Sequence, residues 1–298
     1  MTAHRYAELH AHSAYSFLDG ANEPEALAAA AVELGLEALA LTDFNGMPGI
    51  VKHAKACRSL GLPTVHGSEL TLEGGARLPV LARSPLGYRR LCAAISQHNL
   101  QAGRRTDPAH RLPVLAQALR AGDEAATCLI LTGTANGPLR RALGDPRRPE
   151  SWDPAKADAA LGEMVDHFGA GSLAVEITLE GGPVDAALTG ALGALATAHH
   201  LPLVATGAVR CARPADSRLA DVLTATGLNL DLEAAQGYLP PTGRWLRGAA
   251  DMARLHRRRP GAVEAAADMA AELAFDLSLV VPDLPALQVP AGHTPATG

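Results

Sequence analysis

The chain has 298 residues, 48% hydrophobic and 19% charged, enough for one large barrel or two smaller domains around a sizeable core. No apolar run reaches the roughly 18 residues of a membrane span, and residues 1–5 lead into a strand pattern, not a signal-peptide core. A formal net charge of −5 excludes global attraction to nucleic acid, so any such contact needs a local basic patch. Cys57, Cys92, Cys128 and Cys211 are scattered without a C-x-x-C pair and read as buried thiols of a reducing compartment, the cytoplasm.

In chain order, YAELHAH (6–12) reads as a strand and PEALAAAAVELG (24–35) as a helix closed by Gly35. ALALTDF (38–44) is a second strand, and IVKHAKACRSLG (50–61) a helix ending at Gly61. Strands follow at 63–72 and 78–83, a helix at 87–100, a polar loop around Gly103 to Pro108 and a helix near 112–121. TCLILTGT (127–134), SLAVEITL (172–179) and LPLVATGAV (201–209) are strands, the last two preceded by helices at 157–169 and 185–200. This alternation predicts a parallel α/β fold of about seven strands by residue 209. A closed or nearly closed barrel suits it better than an open sheet, because polar residues recur at strand ends: His10, His12, Asp43, Glu69, Thr134, Glu176 and Gly207. Beyond 210 the pattern becomes helical, at 215–227, 248–256 and 262–275, and a Pro-rich tail finishes the chain as a linker toward something longer. The expected organisation is a barrel over 1–210, a helical extension over 211–280 and a linker over 281–298.

The stretch ELHAHSAYSFLDG (8–20) carries the chemistry. In a strand, His10 and His12 project from one face, and two imidazoles with a carboxylate suit zinc, manganese or iron. An H-x-H pair alone is a weak signal, since polar residues at a strand end look the same. Together with 38–72 and LPVLARSPLGYRRL (78–91), the stretch resembles the polymerase and histidinol phosphatase (PHP) domain of bacterial C-family DNA polymerases, the DNA polymerase III α subunits. LDGA, GYRRLCAAIS and DLPALQVPAGHT look most like the error-prone, damage-response branch. The resemblance implies a distorted (β/α)7 TIM-like barrel with additional C-terminal helices. It also implies a polymerase core in the same full-length chain, which this stretch does not include, and DNA and repair or replication proteins as partners, with no membrane.

Active members of that family hold a cluster of metal ions. Carried over position by position, His10, His12, Asp19 and Glu69 match ligands. Phe44 stands where T-D-H supplies a histidine, Arg77 aligns with a histidine before the L-P-V-L-A-R strand, and Thr134 replaces a Cys or His. Ala208 and Arg210 replace both ligands of D-V-H. A multi-metal phosphoesterase needs its ions close together, and a guanidinium at a metal position repels one. The expectation is a catalytically silent structural module that requires no cofactor and binds at most one zinc or manganese ion weakly. The alternative is a working metal-dependent phosphoesterase, a 3′–5′ exonuclease or histidinol-phosphatase-like enzyme.

Arg77 and Arg210 either pair with Glu69 or Asp19 across the barrel mouth or are simply exposed. Asp43 reads as a turn or capping residue ahead of a ligand, and His199-His200 as a helix carboxyl end. His66 reads as buried or at the rim. The run Arg257-Arg258-Arg259, with Arg247 and Arg254 nearby, is either a solvated helix end or a contact for phosphate or an acidic partner.

Overall fold

The computed structural model describes residues 4–102, 109–120, 127–145, 148–179, 182–239 and 243–280. The polar loop at 103–108 and the segment 281–298 lie outside the described residues. Helix α1 (Pro24–Glu33) opens with proline, where a missing N–H costs nothing, and buries Leu27, Ala28 and Ala31. Strand β1 (Leu39–Leu41) is wholly buried. Helix α2 (Ile50–Leu60) stops at Gly61, whose φ of +70° is a left-handed cap that favours glycine. Strand β2 (Thr64–Thr71) turns directly into β3 (Arg77–Ala82).

Next come α3 (Pro85–Ala102), α4 (Leu112–Leu119), β4 (Cys128–Leu131), α5 (Pro138–Leu143) and α6 (Pro154–Phe168). They are followed by β5 (Leu173–Ile177), α7 (Asp185–Ala198) and β6 (Leu203–Ala205). The later helices are α8 (Ser217–Gly227), α9 (Leu232–Ala235), α10 (Ala249–Leu255) and α11 (Pro260–Leu273).

The sheet runs β1-β2-β3-β4-β5-β6 in sequence order. β1–β2, β4–β5 and β5–β6 are parallel pairs, but β3 is antiparallel to both neighbours. The expectation of a parallel sheet is corrected here, for a simple reason. Only Leu72 to Ala76 separate β2 from β3, and a parallel crossover needs a dozen or so residues.

Residues 6–12 are the second difference from expectation, because they form isolated bridges instead of a regular strand. Glu8 bridges Leu39 of β1 and Ala11 bridges Val209, both in parallel sense. His12 N donates to Val209 O and Val209 N to His10 O, each at 2.8 Å. This segment therefore joins the two ends of the sheet and curls it into a distorted α/β barrel. Its first in-facing group is Glu8, 1% exposed, whose carboxylate accepts from Tyr6 Oη at 2.7 Å, His10 N at 2.9 Å and Gly207 N at 2.9 Å. A Cβ on Gly207 would sit 2.6 Å from Glu8 Oε2, so only glycine lets the carboxylate reach that N–H.

Leu9, Leu39, Leu41, Val65, Val80, Ile130, Val175 and Val204 belong to one buried apolar cluster that continues into the helices. Helix α11 packs on β6 and β2 and buries Ala262, Val263, Ala266, Ala270 and Leu273. Just beyond it, Phe275 N donates to Thr64 O at 3.3 Å, and His66 Nε2 lies 3.2 Å from Phe275 O. His66 is fully buried. The residues after the barrel are thus stitched to the start of β2.

Candidate metal centre

His10 and His12 do share a face, as their spacing requires. His10 Nε2 lies 3.5 Å from Glu69 Oε1, and His12 Nε2 lies 3.4 Å from Glu69 Oε2. Donor atoms of these three buried residues all fall within 4.8 Å of one another. Glu69 comes to the mouth because it closes the bridge between β2 and Phe44, with Asn45 N donating to Glu69 O at 3.0 Å.

Each imidazole is held from behind. His10 Nδ1 lies 2.7 Å from Glu176 Oε1, and His12 Nδ1 lies 2.6 Å from Asp19 Oδ2. Thr206 Oγ1 donates to the same Glu176 oxygen. A carboxylate on Nδ1 sets the tautomer with Nε2 free to coordinate, the usual support for a metal-binding histidine. Without an ion, both imidazoles take up protons. Burial opposes the imidazolium at His10, but Glu176 and Glu69 outweigh it and raise its pKa well above the ordinary value. At His12, burial is likewise overcome by Asp19 and Glu69. Glu69 responds oppositely: burial favours its neutral form, yet the two histidines hold it well below the usual carboxylate range.

The donor set fits one ion. The Nε2 atoms of His10 and His12 both face the Glu69 carboxylate in a buried site, and two imidazoles with one carboxylate are zinc or manganese chemistry. Asp19 stands outside that group. One of its oxygens holds His12, and the other lies 2.9 Å from Arg210 Nη2. Burial would raise the Asp19 pKa, but His12 and Arg210 bring it below the ordinary value.

The structure brings Phe44, Arg77, Thr134, Ala208 and Arg210 to the same small cavity as His10, His12 and Glu69. Its volume is about 10 Å³. The Phe44 ring lies 4.3 Å from the His12 ring, and the Arg77 guanidinium sits 3.9 Å from the Phe44 centroid. Arg77 therefore stacks on an aromatic face, while Arg210 takes the acid. Ala208 has a φ of +44°, an unusual conformation for a residue with a Cβ.

Three residues of this mouth were not assigned to it from sequence. Glu176 was visible only as a polar residue at a strand end, and Asn136 and Arg244 carried no motif. Asp43 is consumed structurally, accepting from Ser13 N and Ser13 Oγ at 2.8 Å and from Ser16 Oγ at 2.6 Å. His199 ends α7 and meets Asp158 at 2.8 Å.

The strand ends of this α/β barrel gather two histidines and a glutamate, each histidine backed by a carboxylate. The family model described as the PHP domain matches residues 8–179, and the chain belongs to the PHP domain family. It is similar to proteins named error-prone DNA polymerase. The relative from Mycolicibacterium paratuberculosis is 43% identical over 97% of this chain and 26% of its own length. The relative from Nocardia farcinica is 38% identical over 97% of this chain and 29% of its own length. The chain thus spans roughly a quarter of these curated relatives. Among solved structures, an amidohydrolase from Chromobacterium violaceum aligns with a TM-score of 0.42 and 15% identity, over 69% of this chain and 88% of that one. Among the described residues, no helix is long and apolar enough to cross a membrane.

Proposed function

We propose that this chain is the PHP module of an error-prone DNA polymerase working in the cytoplasm, and that its barrel mouth is catalytically silent. The observation that carries the silence is Arg210 on Asp19, in a mouth whose remaining space is about 10 Å³. That volume is about what one water needs. A guanidinium where the family's D-V-H supplies a ligand both repels an ion and occupies a carboxylate that would bind it. Phosphoester hydrolysis by clustered ions needs more than one of them in place.

The module's role on this reading is mechanical support of a polymerase core in the same full-length chain, on DNA and beside other repair or replication proteins. No cofactor is required, and His10, His12 and Glu69 hold at most one weakly bound zinc or manganese ion. The domain division that accompanies this reading is a barrel to residue 210, helices to 280 and a linker beyond.

The second reading, a metal-dependent 3′–5′ exonuclease or phosphatase, is favoured by one observation. The His10 and His12 Nε2 atoms converge on Glu69 with their Nδ1 atoms already held. Calorimetric titration with zinc and manganese separates the two, alongside release of product from a generic phosphodiester. One weak ion and no turnover is expected. Two or more ions per chain, with turnover lost in His10→Ala, overturns the silent reading.

A further inference from the structure

A second feature lies beside the mouth, outside the metal-site residues. A cleft of about 520 Å³ opens between the start of α7 and α10, and Arg247, Arg254, Arg257 and Arg258 line it with Trp245. Two aspartates, Asp185 and Asp251, are the acids that face it among the described residues. The cleft is therefore locally basic in a chain of formal net charge −5.

Two of the four arginines are committed. Arg254 Nη2 donates to Asp251 Oδ1 at 2.8 Å. Arg247 donates to Gly243 O at 3.0 Å and lies 4.4 Å from the Trp245 centroid. Arg257 and Arg258 are exposed and make no hydrogen bond or ion pair with any described residue. An anion entering the cleft therefore meets two exposed guanidinium groups that no described acid pairs with. The half-buried indole of Trp245, with Leu179, Pro183 and Leu255, gives the same cleft an apolar wall.

Guanidinium groups beside an aromatic and aliphatic wall match a ligand that alternates phosphates with apolar sugars and bases. The cleft is also fixed to the barrel rim. Trp245 bridges Cys211, and Arg210 N donates to Arg244 O at 2.7 Å, so the wall is anchored one residue beyond the arginine that fills the mouth.

We propose that the arginine-lined cleft between α7 and α10 binds the phosphodiester backbone of single-stranded DNA passing the barrel rim. The choice of DNA over an acidic polypeptide rests on the polymerase-module reading and on the apolar wall. The assigned contacts are phosphates at Arg257 and Arg258 with a sugar or base against Trp245.

The test uses this chain with a fluorescein-labelled oligothymidylate of about 20 nucleotides, in EDTA, read by anisotropy across a salt series. Each phosphate contact on a single strand contributes about 0.7 to the slope of log affinity against log salt. Arg257→Ala/Arg258→Ala is expected to lower that slope by about 1.4 and to weaken binding about tenfold at low salt. Arg257→Lys/Arg258→Lys keeps the slope, and Arg89→Ala on the exposed face of α3 leaves binding unchanged. Arg257→Gln/Arg258→Gln repeats the loss should the alanine pair melt early.

Wild-type slope and affinity in both neutralised variants overturn the proposal. So does equal displacement by polyglutamate and oligothymidylate at matched charge, which would mark an acidic-polypeptide site. EDTA keeps the two readings apart. Loss of the cleft leaves the silent mouth untouched, and metal-dependent turnover would sink the silent mouth without touching the salt slope.

Discussion

Arg210 and Asp19 meet across the barrel mouth, Nη2 to Oδ1 at 2.9 Å, with side chains 16% and 9% exposed. Asp19 is at the same time the carboxylate behind His12. The pair therefore ties a cation to the support of a metal-binding imidazole. Residues in one hydrogen-bonded network are coupled by about 0.5–3 kcal/mol. A double-mutant cycle over Arg210→Ala and Asp19→Asn, read by denaturant unfolding, is expected to return a coupling in that range. Additive losses would show that the contact contributes nothing to stability.

Restoring ligands tests the silent mouth from the other side. Phe44→His/Ala208→Asp/Arg210→His replaces three non-ligating side chains around the cavity of about 10 Å³. Aspartate also tolerates the φ of +44° at residue 208 better than alanine does. The triple variant is expected to bind at least one more manganese ion than the parent. Unchanged stoichiometry in a folded variant would show that the loss of these three ligands is not what silences the mouth.

Glu176 has a positioning role, because its carboxylate holds His10 Nδ1 and so presents Nε2 to the mouth. Glu176→Gln keeps the shape and reverses or weakens that hydrogen bond. Zinc affinity is expected to fall about tenfold, the usual effect of removing such a support. The parallel change Asp158→Asn, which meets His199 far from the mouth, should leave zinc affinity unchanged.

Acid sensitivity comes from a different set of histidines. Burial lowers His53 to about 3, His66 to about 4 and His256 to about 4, with nearby His66 and Arg247 adding to the effect at His53 and His256. The unfolded chain titrates these groups near 6.5 and so binds more protons than the native state between about pH 6.5 and 4. Their stabilising neutrality is complete above 6.5 and is lost as pH falls through that window. His10 and His12, whose values are raised, make their full contribution below 6.5 and do not cause this loss. His256 has no partner on either ring nitrogen among the described residues. His256→Leu is therefore expected to leave stability at pH 7 unchanged or higher and to remove about one proton from the uptake on unfolding. Urea unfolding at three pH values gives both quantities.

Two glycines separate backbone strain from crowding. Gly61→Ala meets open space, so its cost is the left-handed φ alone, about 1 kcal/mol. Gly207→Ala drives a methyl against Glu8 Oε2 and breaks a buried carboxylate network, for which about 3 kcal/mol is expected. Equal melting-temperature losses in the two variants would contradict this.

Much of the barrel is legible in the sequence. The period-2 and period-3.6 stretches located the main strands and helices, and Gly61 marked the end of α2. The H-x-H spacing predicted two imidazoles on one face, and the distances to Glu69 agree. What spacing cannot express is which residue stands opposite. Glu176 reaches His10 across the barrel from β5, and Arg244 reaches the mouth from beyond β6. The reversed β3 follows from the short turn before it, a local signal that the strand–helix alternation elsewhere in the chain masks. Helix α5 has six residues, too few for an amphipathic period to stand out.

The ring closes where residues 8–12 lie between β1 and Val209, and this sets an order of assembly. During synthesis the segment bearing His10 and His12 emerges with one future neighbour, β1, close behind it and the other still unmade. Until Val209 arrives, His12 N has no backbone acceptor and Glu8 lacks the Gly207 N–H that holds its carboxylate. Contacts between such distant parts of a chain form late and slowly. A nascent barrel arrested before residue 207 would lack both the Val209 bridge that closes the ring and the Arg210 cation that occupies Asp19.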